Sequence, residues 1–272
     1  MVEYILSYGG KYKQKKDKSL PLSAKKSAIP ISYANSVNDI LSKTESRISS
    51  SISVISNFQS ATATKKNAAT ITPLRNPGKI EIIGIGISTG GPNALREVFR
   101  AIDPHIKQPI LVVQHMPAGF TEEFANSLNS ICPLEVKEAH DGDILKPGRI
   151  LIAPGNKHIY VERRALAAVV RLSDEEQRNG HRPSADVLFE SIAKNYHNNA
   201  LGVIMTGMGR DGAGQLAVMR KEGAWTLGQD EESSIVYGMP RVAYELGAVQ
   251  KQVPLSKMAQ EISTLAIEHE NG

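Results

Sequence analysis

Short apolar runs rich in Ile, Leu and Val recur along residues 79–227, and most are followed by a stretch with helical spacing. Runs of this length are strands rather than helices, and unbroken apolar runs belong to strands buried on both faces. Strands are expected over 80–87, 109–114, 149–154, 200–206 and 224–227, and a hairpin over 158–172. Helices are expected over 92–102, about 118–131, 183–196, 210–221, 240–246 and 256–268. Pro92 sits early in the first helix, where its missing N–H does no harm. Strands alternating with helices give an α/β fold: a doubly wound, mainly parallel sheet flanked by helices, Rossmann-like in three layers, with a β-hairpin at one edge.

Residues 1–76 read differently. They hold 12 Lys/Arg against 4 Asp/Glu, whereas residues 77–272 hold 20 against 24. Ser, Lys, Ala and Asn dominate, and apolar residues are too sparse for a core, so a flexible basic tail or linker is expected. Val37, Leu41, Ile48, Ile52 and Ile55 recur at near-helical spacing, but the intervening serines weigh against a stable helix. The basic charge lies in the tail, so no nucleic-acid partner is expected for the domain at 77–272. Cys132 is the one cysteine, which excludes an internal disulfide and a multi-cysteine metal site and fits a buried structural thiol in a reducing cytoplasm. The seven histidines lack the spacing of a metal motif. No run approaches the roughly 20 apolar residues of a membrane span, and the N-terminus does not read as a secretory signal. A cytoplasmic location is expected.

In sheets of this kind ligands bind at the carboxyl ends of the strands, so the residues following each strand carry the chemistry. The first strand ends in Gly86-Ile87-Ser88-Thr89-Gly90, a Gly-x-Ser-x-Gly pattern. Its glycines suit a tight strand-to-helix turn that lifts Ser88 from the sheet edge. A glycine turn with a capping serine would read the same way. A dinucleotide site would need glycine where Thr89 stands and a carboxylate where the second strand ends in Gln114-His115. His115, just past that strand, can reach a serine at the neighbouring strand end as general base. The fourth apolar strand leads into Thr206-Gly207-Met208-Gly209-Arg210-Asp211-Gly212. Asp211 can orient the imidazole, or cap a helix, or both.

Taken in order, Ile83-Gly84-Ile85-Gly86-Ile87-Ser88-Thr89-Gly90-Gly91, Gln114-His115-Met116-Pro117-Ala118-Gly119-Phe120-Thr121, Ile152-Ala153-Pro154-Gly155, His181-Arg182-Pro183-Ser184-Ala185-Asp186, Thr206 to Gly212, and Gly223-Ala224-Trp225-Thr226 through Gly238-Met239-Pro240-Arg241 resemble the catalytic domain of the chemotaxis protein-glutamate methylesterase family. The resemblance covers roughly residues 79–265. It implies a serine hydrolase that demethylates glutamate methyl esters on methyl-accepting chemotaxis receptors, releasing methanol, and that can deamidate receptor glutamines. Ser88 would be nucleophile, His115 general base and Asp211 its partner, with backbone near Met208 and the neighbourhood of Thr89 helping to bind the oxyanion. His181 and Arg182 would line the cleft or hold a loop. No cofactor is implied, and contact with the membrane would come only through the receptors.

Two departures stand out. Family members usually carry an N-terminal receiver domain of about 120 residues, whereas residues 1–76 lack its strands and strand-end aspartates, so no receiver domain and no phospho-switch are expected here. Ile87 stands where alanine is usual, adding bulk beside the nucleophile. Two other functions compete: a catalytically quiet receptor-binding adaptor, opposed by the intact Ser88, His115 and Asp211, and a nucleotide-binding oxidoreductase, opposed by Thr89 and the absent ribose carboxylate.

Overall fold

The computed structural model describes residues 69–270, and the expected tail helix at 37–55 lies outside them. Among the described residues there are nine strands and six helices. The strands are β1 (Ile82–Ile87), β2 (Ile110–Gln114), β3 (Glu135–Glu138), β4 (Arg149–Ile152), β5 (His158–Arg163), β6 (Ala168–Ser173), β7 (Ala200–Ile204), β8 (Trp225–Gln229) and β9 (Lys251–Val253). The helices are α1 (Gly91–Ala101), α2 (Thr121–Asn129), α3 (Ala185–Tyr196), α4 (Ala213–Glu222), α5 (Met239–Glu245) and α6 (Leu255–Glu268).

Seven strands form one parallel sheet in the order β3-β4-β2-β1-β7-β8-β9. The expected hairpin, β5–β6, is a separate antiparallel sheet packed on α3, and the edges of the large sheet are β3 and β9. The apolar pattern does not point to those two short strands. β3 buries only Val136 and β9 only Val253, so neither shows the run that marks a buried strand.

The sheet is covered on both faces, giving two cores. Ile83, Ile85 and Ile87 of β1 face α1, α2 and α6, whose Leu95, Phe99, Leu128 and Ile262 are buried with them. On the opposite face Ile82 packs with Leu188, Phe189 and Ile192 of α3 and with Leu216 and Met219 of α4. Each such buried side chain contributes about 1.5–3 kcal/mol relative to exposure. Gly84 and Gly86 share this second face. A Cβ on Gly84 would meet Ile192 at 2.6 Å and one on Gly86 would meet Ala185 at 2.8 Å, so both glycines let α3 lie close against β1.

The strand order reverses at β1. The chain moves outward on one side through β2 and β4, then returns to the other side with β7, β8 and β9. In sheets of this kind ligands bind outside the carboxyl ends of the strands at the switch point, and residues 88–90 and 206–212 follow β1 and β7 at that place. At the other end of the strands, residues 69–78 follow the domain surface. The Ala69 N–H donates to Glu245 O (3.1 Å), the Leu74 N–H to Lys221 O (2.7 Å), and Arg75 pairs with Glu222. Cys132 is half-buried against the first core, and burial pushes its thiol pKa up.

Candidate active site

Ser88 follows β1 directly, and its backbone is held from three sides. Its N–H donates to Thr206 O (2.9 Å), and its carbonyl accepts from the Gly91 N–H (2.8 Å) and from Gln114 Nε2 (3.1 Å). Gly90 makes the turn, with φ at 84° in the left-handed region that glycine tolerates. It is the residue before α1, so Ser88 stands beside a helix N-terminus, where partial positive charge gathers. Ile87 is fully buried in the first core, so its bulk is taken up beneath the elbow.

Gln114 is a site residue that sequence reasoning missed. It ends β2, is buried, and donates to the carbonyls of both Ser88 (3.1 Å) and His115 (3.0 Å). One amide thus ties the two strand ends together. The signal was a polar residue closing an apolar strand.

His115 Nε2 lies 2.8 Å from Asp211 Oδ2, while its other ring nitrogen, Nδ1, is buried with no partner among the described residues. A carboxylate can only accept, so Nε2 is the donor to Asp211, and in the neutral ring Nδ1 is the nitrogen left without a proton. Ser88 Oγ makes no hydrogen bond among the described residues.

Asp211 is completely buried yet accepts from many donors. Ser184 Oγ donates to Oδ1 (2.6 Å), Asn179 Nδ2 to Oδ1 (2.9 Å), and the Ala185 N–H to Oδ2 (2.6 Å). Burial pushes its carboxyl pKa up, but hydrogen bonds from His115, Ser184 and Asn179 outweigh that and hold it at about 2. Asp211 therefore also caps a helix. The helix is α3, not α4, which follows Asp211 in sequence and starts from Gly212.

Thr89 is exposed, and its carbonyl accepts from Thr206 Oγ1 (2.9 Å). The Met208 side chain is 73% exposed at the rim. Neither backbone N–H, at Thr89 or at Met208, has an acceptor among the described residues. His181 stacks on His115 with ring centroids 3.8 Å apart. Arg182 instead turns to Asn156 Oδ1 (2.7 Å) and the carbonyls of Asp174 (2.7 Å) and Glu175 (2.9 Å), where it holds a loop.

No cluster of His, Cys, Asp or Glu placed to hold a metal occurs among the described residues. No helix among them is long and apolar enough to cross a membrane.

Residues 83–262 match the family model described as CheB methylesterase. A Treponema denticola protein named protein-glutamate methylesterase/protein-glutamine glutaminase is 65% identical over 192 residues, covering 71% of this chain and 52% of the relative. An Escherichia coli protein of the same name is 44% identical over 210 residues, covering 74% and 60%. The crystal structure of the Thermotoga maritima CheB methylesterase catalytic domain superposes with a TM-score of 0.66 at 36% identity, covering 69% of this chain and 98% of that one. The chain spans about half the length of the Treponema relatives it matches.

Proposed function

The chain belongs to the CheB methylesterase family, and we propose that it hydrolyses glutamate methyl esters on chemotaxis receptors, with Ser88 as nucleophile, His115 as general base and Asp211 as its orienting partner. The observation that carries this reading is the buried Asp211–His115 pair, whose free Nδ1 lies at the strand end next to Ser88. Residues 77–272 form the catalytic domain in this reading, residues 1–76 a basic linker, and the enzyme works in the cytoplasm on receptor side chains.

The reaction runs in two steps in this reading. His115 Nδ1 takes the Ser88 hydroxyl proton as Oγ attacks the ester carbonyl carbon. The N–H groups of Thr89 and Met208 bind the resulting oxyanion. His115 returns the proton to the methoxy oxygen, the C–O bond breaks, and methanol leaves. Water, deprotonated by the same nitrogen, then attacks the acyl-enzyme and releases Ser88 and a glutamate carboxylate. A glutamine side chain passes through the same tetrahedral oxyanion, with ammonia as the leaving group. Each turnover restores a negative charge to the receptor.

The test is methanol release from methylated receptor membranes by the wild-type chain and by Ser88→Ala. Loss of the nucleophile should lower kcat by about six orders of magnitude without changing stability by more than about 0.5 kcal/mol. Equal release by both proteins would refute Ser88 as nucleophile. No release from either, while a known family enzyme is active alongside, would favour an adaptor.

A further inference from the structure

We propose that the four-residue turn from Arg178 to His181 is part of the catalytic apparatus, with Asn179 fixing the Asp211 carboxylate and His181 covering the His115 ring. The proposal rests on the reading of Ser88, His115 and Asp211 given above. Asn179 and His181 act through those residues and are positioning residues.

The turn is built for the purpose by its backbone. Arg178 and His181 exchange both backbone hydrogen bonds, at 3.1 and 3.0 Å. The two residues between them have φ of 54° (Asn179) and 77° (Gly180). Two successive left-handed residues are the mark of a tight two-residue hairpin turn, and Asn-Gly is the pair that adopts it most readily. Anchors outside the site hold the turn from behind. Arg178 pairs with Glu190 on α3, and the Arg182 guanidinium is bound by Asn156 Oδ1 at 2.7 and 3.1 Å.

The amide nitrogen of Asn179 is fully committed. It has two hydrogens, and two carboxylate oxygens face it: Asp211 Oδ1 at 2.9 Å and Asp186 Oδ2 at 2.6 Å. Asp186 is itself buried at the start of α3, and its other oxygen accepts from the Gln215 N–H on α4 (3.0 Å). The amide therefore cannot rotate without abandoning a buried carboxylate, and Asp211 cannot tilt without losing the amide.

From the end of the same turn, the His181 ring lies over the His115 ring, 3.8 Å away and inclined by 11°. Its carrier is pinned by the hydrogen bonds of the turn, so the stack fixes the plane of His115. A fixed plane keeps Nε2 on Asp211 and holds the buried Nδ1, which has no other partner among the described residues, in one place. Burial and the neighbouring His115 both lower the His181 pKa, against a smaller opposing pull from Asp211. A neutral His181 leaves room for His115 to take up a proton during the reaction. The turn thus sets the position of the Asp211 carboxylate and the orientation of the base together.

The test uses the full chain, with methanol release from methylated receptor membranes for kcat and KM and urea unfolding for stability. Asn179→Gly keeps a backbone that accepts positive φ and deletes only the amide. It should lower kcat by about 10- to 100-fold with KM little changed, as expected for a misplaced catalytic group. His181→Ala should lower kcat by roughly tenfold, and His181→Phe, which keeps a ring on His115 but no proton-carrying group, should recover most of that loss. A turn that is merely structural would reduce unfolding free energy without changing kcat of the folded protein, and phenylalanine would rescue nothing. Wild-type kcat in Asn179→Gly and His181→Ala, with Ser88→Ala inactive, overturns the proposal and leaves the triad standing. Activity retained in Ser88→Ala sinks the triad and the turn's role with it. Should Asn179→Gly fail to fold, equal kcat in the two His181 variants overturns the proposal by itself.

Discussion

Replacing Asp211 by Asn is expected to lower kcat by about four orders of magnitude in a protein that still folds at neutral pH. Asp211 accepts through both oxygens, from His115, Asn179, Ser184 and the start of α3. An asparagine has one oxygen and one NH2 group. If the oxygen stays with Ser184 and Asn179, the NH2 faces His115 Nε2 and donates to it. The imidazole must then carry its proton on Nδ1, the atom that should receive the proton of Ser88. The base is lost although nothing has moved. The Ala185 N–H is left facing another donor, a cost of about 1–3 kcal/mol, which a domain of ordinary stability survives. A loss in kcat below about tenfold would leave Asp211 as a helix cap and no more.

Acid adds a second reading from the same variant. The Asp211 pKa is about 2 in the folded protein against a reference of 3.8. A depressed carboxyl stabilises the fold above its unfolded pKa, and that stability disappears as pH falls through the folded value. The contribution is about 2 kcal/mol above pH ~4, shrinks to a small fraction near pH ~2 and is lost below it. Urea unfolding of the wild type should therefore weaken between those values. Asp211→Asn lacks this component, so the stability gap between the two proteins should narrow over the same window.

Local pattern carried much of the architecture. The five apolar runs became strands of the parallel sheet, and all six anticipated helices formed within a few residues of the expected ends. The edge strands β3 and β9 are hidden in the sequence because an edge needs only one buried side chain, which leaves no run to read. The glycines are visible, but their roles are not. Gly86 reads as part of a serine turn, whereas its missing side chain, like that of Gly84, makes room for α3, and within the pattern Gly90 takes the left-handed backbone. Asp211 suggested a cap, but the capped helix begins at residue 185, and no local pattern can point that far back. Asn179 illustrates the limit. Asn179-Gly180 is a plain turn signal, and only the fold brings its amide between Asp186 and Asp211. Chemistry-bearing residue types at strand ends can be found in a sequence, whereas the residues that aim them are found by contact.

Gly207→Ala should show how closely the site is packed. Gly207 follows Thr206, whose carbonyl holds the Ser88 N–H. A Cβ at residue 207 would lie 2.8 Å from Ser88 Cβ and 3.2 Å from its backbone nitrogen, and would also run into the Met239 sulfur. Met239 is fully buried and has little room to yield. The Ser88 backbone is held by Thr206, Gly91 and Gln114, so relief on that side must come from moving Ser88. A displacement near 1 Å costs about 100-fold in rate, and overpacking costs about 1–3 kcal/mol of stability. Gly142→Ala is the control. Gly142 lies in the turn before β4 with φ at 84°, and a methyl group added there would have nothing within 4 Å, so alanine adds only backbone strain. That strain is worth about 1–2 kcal/mol. The two variants should thus lose similar stability by urea unfolding, while kcat for methanol release falls in Gly207→Ala and holds in Gly142→Ala. Equal kcat in both would mean that the elbow absorbs the methyl group by a route that leaves Ser88 in place, and the close contact between Gly207 and Ser88 would then have no part in positioning the nucleophile.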